Sequence, residues 1–587
     1  MAKVTIKHYA SPTCILLAFD WADGPEHPDF LGFAIQRDPG YGADKKPQFL
    51  FNKLDFVPLA KDAKPKPSSQ VPIQKFNWWD SGFKTPDRGK KFTYKVIPVL
   101  GTGPDDLKLQ EQAAGEISLT LPTILDGKIA TYFNRAVVSS QSFKKLQSSA
   151  SLEKQMEWLA NGLQDAVPEA LDESDAFDCA IYHLSDNLWI LPSFQKFKGR
   201  GSLTYFAKGK DTKSVAGAKS LASKHNISKH KRDAISKLMH DKFIVSYKNG
   251  REAAVLMGST NFTPEAQTIQ ANLLHILHSP QLGDLYAQRA QLLAKNEKTP
   301  EVAKLAGWHD VTDIAGTAIR VFFTPEPGKQ RKFLDTVTKA VEGAKSSVLF
   351  CMFTASDEDL MKAIFAKGDS NDHLIYGLLN AVDDPDKPTK SGKKRTNLPK
   401  IAATIFHRST NKKPDTLPYS AFNEKAPSGF LPELRTIDTS SFDISASKKS
   451  TKSKGGKKKS KGGKGPPPIH VHHKFIVIDG DTNNPTIYSG SPNFSKSSEN
   501  SNDENVLEIK GNTRVAEVYV AEFMRLYNHY RARAIWDRTH PGGKQKSKKK
   551  NQQGAQDALV LKRTRDGWAK DAYTAGTKAA LARTRGL

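Results

Sequence analysis

The sequence predicts an α/β body made of two similar halves and preceded by an all-β sandwich. Three observations predict it. One polar stretch occurs twice at the same internal spacing, strand-like and helix-like runs alternate through the middle of the chain, and the first 120 residues hold only short strand-like runs.

Those early runs are Lys3–Tyr9, Cys14–Trp21, Phe30–Ile35, Gln48–Asn52, Val71–Trp79, Lys91–Leu100 and Glu116–Leu121, separated by Gly, Pro and Asp. Alternation in short runs suits a two-sheet sandwich over 1–122. The stretch Phe92-Thr93-Tyr94-Lys95-Val96 resembles a fibronectin type III strand, an immunoglobulin-like setting. No chemistry-bearing motif stands here, so the region reads as a partner- or glycan-binding module, or as a packing module docked on the body.

The first half of the body spans 123–310. Ser151–Val167 carries apolar residues at helical spacing (Met156, Leu159, Leu163, Val167), Phe177–Leu184 and Leu203–Ala207 read as strands, and Val215–His225 and Ala287–Lys295 as helices. The second half, 311–538, repeats the order: strand Ile319–Phe323, helix Lys332–Ala344, strand Ser347–Phe353, helix Glu358–Phe365, strand His373–Leu379 and a closing helix Ala516–Ala532. Such alternation argues for parallel pairing. Aligning Tyr182 with Met352 leaves the second half about 60 residues longer, an insertion between 381 and 469 of the length usual for functional or disordered loops. A basic tail, 539–587, follows, with Trp568–Leu587 as a short helix.

The repeat is His240-Asp241-Lys242-Phe243-Ile244-Val245 followed by Gly258-Ser259-Thr260-Asn261-Phe262, and again His472-His473-Lys474-Phe475-Ile476-Val477 followed by Gly490-Ser491-Pro492-Asn493-Phe494. His and Lys two apart on a strand share a face. Ser and Asn follow at the end of a second apolar run. An imidazole, an ammonium, a hydroxyl and a carboxamide converging at strand ends suit an anionic phosphoryl group; two core strands with incidental polar residues are the plainer alternative, but a buried Lys needs a partner.

These residues resemble the H-x-K-x4-D and G-S-x-N motifs of the phospholipase D superfamily. The second copy matches in full through Asp479; in the first, Tyr247 stands where the family has Asp. The resemblance runs from about 125 to 535 and implies two mixed-sheet halves sharing one site. It also implies phosphodiester cleavage through a phosphohistidine without a metal or other cofactor. His240 is then the nucleophile and His472 the acid and base, with Lys242, Lys474, Asn261 and Asn493 stabilising phosphoryl oxygens. Ser259 and Ser491 add hydrogen bonds or hold the turn, and His470, on the face of His472, lines the site, whereas His473 faces away. An acid after the second motif orients the nucleophile: Glu504, with Asp503 as the alternative, while Gln270-Ala271-Asn272 offers no carboxylate.

Composition bounds the partners. The net charge is +26, with nine Lys in 448–464 and five in 544–550; the remainder carries +12. Polyanions are the expected partners: nucleic acid, or an anionic membrane face touched peripherally. The Lys/Gly/Ser run before Pro466 cannot form a core and is expected to be disordered, either as a solvated loop or as a polycationic arm at the site's mouth. Three dispersed cysteines fit a reducing compartment, and no signal or membrane span is read, so the expected location is the cytoplasm. Both motif copies in one chain predict a monomer. Substrate readings are, in order, a nuclease or nucleic-acid phosphodiesterase, a phospholipase D or phosphatidyltransferase, and a non-catalytic polyanion-binding protein.

Overall fold

The computed structural model describes residues 1–41, 45–57, 64–137, 143, 146, 149–172, 174–208, 212–221, 226–235, 237–354, 356–380, 382, 404–405, 415–418, 470–539 and 560–587. The Lys runs at 448–464 and 544–550, Pro466–Pro468, and the end of the helix expected over 215–225 lie outside the described residues.

Two sheets of eight strands share one strand order. The first runs Leu125–Asp126, Ile129–Phe133, Leu273–Leu277, Arg251–Gly258, Lys242–Lys248, Ala176–Ile181, Arg200–Phe206, Ile227–Arg232. The second runs Gly307–Val311, Ala318–Thr324, Glu504–Lys510, Thr486–Gly490, Lys474–Ile478, Ser347–Met352, Leu374–Leu379, Asp415–Pro418. The last three strands of each pair in parallel and the rest antiparallel, so the sheets are mixed. Phe243, Val245 and Tyr286 share a core with Phe475, Val477 and Tyr519, so apolar faces of both sheets meet, with the helices Pro280–Ala294 and Thr513–Thr539 built in. The opposite faces have separate cores. Burial on both faces explains why the motif strands read as unbroken apolar runs.

Two expectations shift by a residue or more. The helix expected over Ser151–Val167 ends at Ala160, because Asn161 and Gly162 take positive φ (57° and 97°), the left-handed stop that Gly and Asn favour. The equivalent of Tyr182 is Phe353, not Met352: Ile181 pairs with Lys242 as Met352 pairs with Lys474. The insertion is also not one loop. Asp415–Pro418 within it pairs parallel to Leu374–Leu379, where Ile227–Arg232 sits in the first sheet. Most of the excess falls between that strand and the motif: residues 419–471, against 233–239 in the first half.

The N-terminal region forms a three-stranded sheet (Thr5–Ala10, Ile15–Asp20, Asn77–Asp80) and a five-stranded one centred on Phe30–Asp38 and Lys91–Leu100. Leu17 and Phe19 of one pack with Phe33, Ile35, Tyr94 and Val96 of the other, which makes a sandwich. Under it Arg37 and Asp80 form a buried ion pair (3.1 Å) that Tyr41 and Tyr94 complete by donating to Asp80 (2.7 Å each).

The end of the expected tail is folded onto this sandwich. Leu561 donates its amide to Asp55 (2.8 Å) and packs with Leu31, Phe56 and Val71. Trp568 lies among Phe30, Phe33 and Phe76, at 5.2, 6.4 and 5.2 Å between ring centroids, and its indole N–H donates to Phe30 O (2.9 Å). Further on, Arg583 pairs with Asp20, and Lys578 donates to His373 O (2.5 Å) in the second half. The aromatic pocket that receives Trp568 belongs to strands more than 480 positions away, so local sequence could not reveal it. Replacing Trp568 with Ala should therefore destabilise the sandwich by about 2–3 kcal/mol, below the 3–5 of a fully buried aromatic. An unchanged urea midpoint would show that the C-terminal segment contributes no packing energy.

Candidate active site

Each motif histidine is held by the other half. His240 N donates to Asp503 O (2.8 Å) and Asp503 N to Leu238 O (2.9 Å); His472 N donates to Ala271 O (3.1 Å) and Ala271 N to His470 O (2.6 Å). Met239 and Asp503, and Ala271 and Val471, thus form short parallel bridges between the halves. The two motifs meet at this junction, where His240 and His472 are each 5% exposed and Lys242 and Lys474 are buried.

The environments are nearly two-fold. Each Lys ammonium donates to the carbonyl of its own motif His, at 2.6 Å in both copies. Tyr182 packs against His240 with Lys242 over its ring (4.9 and 5.2 Å to the centroids), and Phe353 does the same for His472 and Lys474 (5.3 and 5.4 Å).

The symmetry breaks at the orienting groups. His240 Nδ1 lies 2.7 Å from Glu504 Oε2, and Asn502 donates to the other carboxylate oxygen (2.8 Å). His472 Nδ1 lies 2.8 Å from Asn272 Oδ1. The Asn272 amide nitrogen donates to Ala266 O (3.0 Å) and Gln270 O (3.3 Å), which fixes its oxygen toward the ring. Both imidazoles must then carry hydrogen on Nδ1 when neutral, leaving Nε2 as the base. Asn272 stands at the same interval of 32 from His240 as Glu504 from His472. The sequence offered that signal; a search for carboxylates alone passed over it.

Asp503 is turned the other way, as strand neighbours must be. It pairs with Arg232 (2.9 Å), while Arg289 pairs with Asp241 (3.0 Å) and Asn505 donates to Asp241 (2.6 Å). All four charged side chains are fully buried. This network ties the first motif, through Asp241, to Asp503 and Asn505 on either side of Glu504, and leaves the His240 contact to Glu504.

The remaining expected site residues divide. Ser259 donates to Asn272 Oδ1 (2.9 Å) and accepts from Leu273 N (3.2 Å), and Ser491 accepts from Asn505 N (3.1 Å), so both hydroxyls hold the framework. Asn261 and Asn493 are different: among the described residues their buried carboxamide oxygens have no partner. His470 is fully buried, and its backbone bonds to Asn380 and Ala271. Asp479 is not brought to the site. At the far end of its strand, with φ of 53°, it accepts from the amides of Lys345 (2.9 Å), Ser346 (2.6 Å) and Ser347 (3.2 Å). Tyr247, its counterpart, donates to Asp178 (2.7 Å). Neither touches a motif His, so the first copy's departure from the family pattern leaves the junction intact. His473 packs against Phe133 and Phe475, turned away as expected. Among the described residues no cluster of three His, Cys, Asp or Glu is placed to hold a metal ion, and no helix is long and apolar enough to cross a membrane.

Burial, and then the Lys242 ammonium, push the His240 pKa down to about 4 against the opposing pull of Glu504. Burial takes Lys242 down to about 7, opposed by Glu504 and Asp241. His472 and Lys474 are both lowered well below their ordinary values, again first by burial. Burial alone would raise Glu504; His240, its hydrogen bond and Lys242 outweigh that and hold it low.

Residues 337–527 match the family model described as "Cardiolipin synthase, PLD-like domain", a span that contains His472, Lys474, Asn493 and Glu504. The second half is therefore a phospholipase D-like domain, and the two halves together have the phospholipase D-like fold. No curated protein sequence matches the chain. Among solved structures, phosphatidylserine synthase from Haemophilus influenzae Rd KW20 is similar at 9% identity over 65% of this chain and 88% of that one (TM-score 0.41). The phospholipase D family member Nuc from Salmonella typhimurium is similar at 20% identity over 22% and 85% (TM-score 0.20). Polyphosphate kinase from Porphyromonas gingivalis is similar at 9% identity over 65% of this chain, which spans about half of that one, 53% (TM-score 0.37).

The pKa shifts fix a sign for stability. His240 is protonated more readily when unfolded, near 6.5, than when folded, near 4, so folding loses stability as pH falls through that window. Glu504, lowered when folded, loses its contribution below its ordinary 4.5, in the same direction. Urea unfolding of wild type should show lower stability at pH 4.5 than at pH 7. The difference should shrink in His240→Asn; an equal difference in the variant would remove His240 from the account.

Proposed function

We propose that this protein is a phosphodiesterase that works through a phosphohistidine on His240, with a nucleic-acid strand as its favoured substrate. The observation that carries the reading is the unequal support of the two histidines. Glu504 is charged and can stabilise positive charge on His240 once Nε2 is bonded to phosphorus; Asn272 is neutral, so it sets the His472 tautomer without anchoring a proton there. A nucleophile needs the first arrangement and a proton shuttle the second.

In the first step His240 Nε2 attacks phosphorus, a P–N bond forms and the P–O bond to the leaving group breaks. His472 Nε2 gives its proton to the departing oxygen. In the second step His472 takes a proton from water, the water oxygen bonds to phosphorus, and the P–N bond breaks to give a phosphomonoester. An alcohol in place of water makes the same step a transfer. In the empty site burial, and then the Lys474 and Lys242 ammoniums, oppose protonation of His472; an arriving phosphodiester anion offsets the ammonium charges, so that His472 takes up a proton from solvent as the substrate binds. Lys242 and Lys474 face the equatorial oxygens, and the uncommitted carboxamides of Asn261 and Asn493 are the groups best placed to join them.

The net charge of +26 favours a polyanionic strand. The second reading, action on phospholipids, draws on the family model, whose description names cardiolipin synthase. A panel of single-stranded DNA, RNA and phosphatidylglycerol vesicles separates the two. His240→Ala should abolish turnover and the acid-labile phosphoenzyme. His472→Ala should slow cleavage of an alkyl diester by about 100- to 10,000-fold, the usual worth of a positioned acid. It should still form phosphoenzyme from a nitrophenyl diester, whose leaving group needs no proton. A phosphoenzyme that persists in His240→Ala would move the nucleophile elsewhere.

A further inference from the structure

A cleft of about 750 Å³ opens where the N-terminal sandwich, the first half and the helix Thr513–Thr539 meet. Lys84 and Arg88 line it from the sandwich side, Arg135 and Lys154 from the first half, and Arg525 from the helix; Glu157 and Asp165 are the acids on its wall. Cations therefore outnumber carboxylates.

The arginines are not all neutralised. Arg525 pairs with Glu522 (2.8 Å) and donates to Asn134 O and Arg135 O (3.2 Å each). Arg88 and Arg135 form no ion pair among the described residues. Arg88 donates to Pro12 O (3.4 Å) with Asp165 and Glu169 acting on its charge, and Arg135 donates to Trp158 O (3.1 Å) while lying 4.5 Å over that indole ring. Burial, and next the Arg525 charge, push the Arg135 pKa down to about 10 against the opposing pull of Glu522. Guanidiniums held together with few carboxylates in direct contact are set to take an external anion, and their planar forks fit phosphate oxygens.

Buried hydrogen bonds link the cleft wall to the catalytic junction. Asn134, next to Arg135, accepts from Asn272 N (2.9 Å), and Asn272 holds His472.

We propose that this cleft is a second phosphate-binding subsite, in which Arg88, Arg135 and Lys154 hold backbone phosphates of a single nucleic-acid strand beside the catalytic junction. The proposal rests on the polyanion reading above and deepens it. A strand fits better than a lipid surface, because the exposed large apolar side chains among the described residues, Met1, Phe51, Val57 and Leu125, all lie outside the cleft lining. A membrane-seeking face would present them there.

The test uses the full chain and a fluorescent oligodeoxythymidine of about 16 nucleotides, a common single-strand footprint. Arg88→Glu/Lys154→Glu is compared with Lys339→Glu/Lys362→Glu, the same charge change on exposed helix positions of the second half. The cleft variant should bind at least about tenfold more weakly, and its salt slope should fall by about 1.4 for two lost phosphate contacts. The control should stay near wild type, with both variants keeping the wild-type melting midpoint. Equal losses in the two variants, or none in either, would overturn the proposal. So would a loss confined to phosphatidylglycerol vesicles. If the cleft variant melts early, Arg88→Gln/Lys154→Gln takes its place with half the charge change and the same comparison. Binding by His240→Ala reads the cleft independently: retained turnover there refutes the catalytic reading, while the strand affinities still decide this one.

Discussion

Everything at the junction depends on four backbone hydrogen bonds that cross between the halves. Asp503 and Ala271, each beyond the short helix that follows a Gly-Ser-x-Asn turn, lend their peptide groups to the motif segment of the opposite half. Neither half can complete its own His. Glu504 follows Asp503 and Asn272 follows Ala271, so the same exchange that fixes each backbone delivers the group that orients each ring. Symmetry sets the geometry, and one difference in residue type at equivalent positions sets the chemistry.

The cost of this arrangement is electrostatic. Two ammoniums and two imidazoles are buried together, with Glu504 hydrogen-bonded to His240 and Asp241 also acting on Lys242, and burial disfavours every charged form. The deeper Asp241–Arg289 and Asp503–Arg232 pairs show the contrasting solution, where buried charges are matched one for one. The contrast between a matched framework and an undermatched cavity is what the proposed function rests on.

The sequence made much of this legible. A polar set repeated at constant spacing has no explanation in packing alone, and it led to His240, Lys242, His472, Lys474 and the two asparagines. Glu504 was legible because Asp503 and Glu504 follow the second motif where the matching stretch of the first, Gln270-Ala271-Asn272, has no carboxylate. Asp479 was legible as a motif member but not as a residue outside the site: a strand's length separates its two ends, and a motif written in one dimension hides that. Ser259 and Ser491 were ambiguous for a related reason, since a hydroxyl can serve a substrate or a turn and only the neighbouring amides decide. The contacts of Tyr182 and Phe353 with the motif residues carry no sequence signal, because an aromatic near a strand end is ordinary in any core.

What the sequence alone determined is the set of reactive groups, their duplication and the two-sheet α/β plan, because strand periodicity and residue chemistry are local properties. Tertiary structure decided which acid meets which histidine, that Asn272 answers Glu504, that Asp415–Pro418 completes the second sheet, and that the C-terminal Trp568 closes the N-terminal sandwich. Those contacts join positions tens to hundreds of residues apart. Their energy comes from burying surfaces that no local window contains, so they exist only once both halves have packed together.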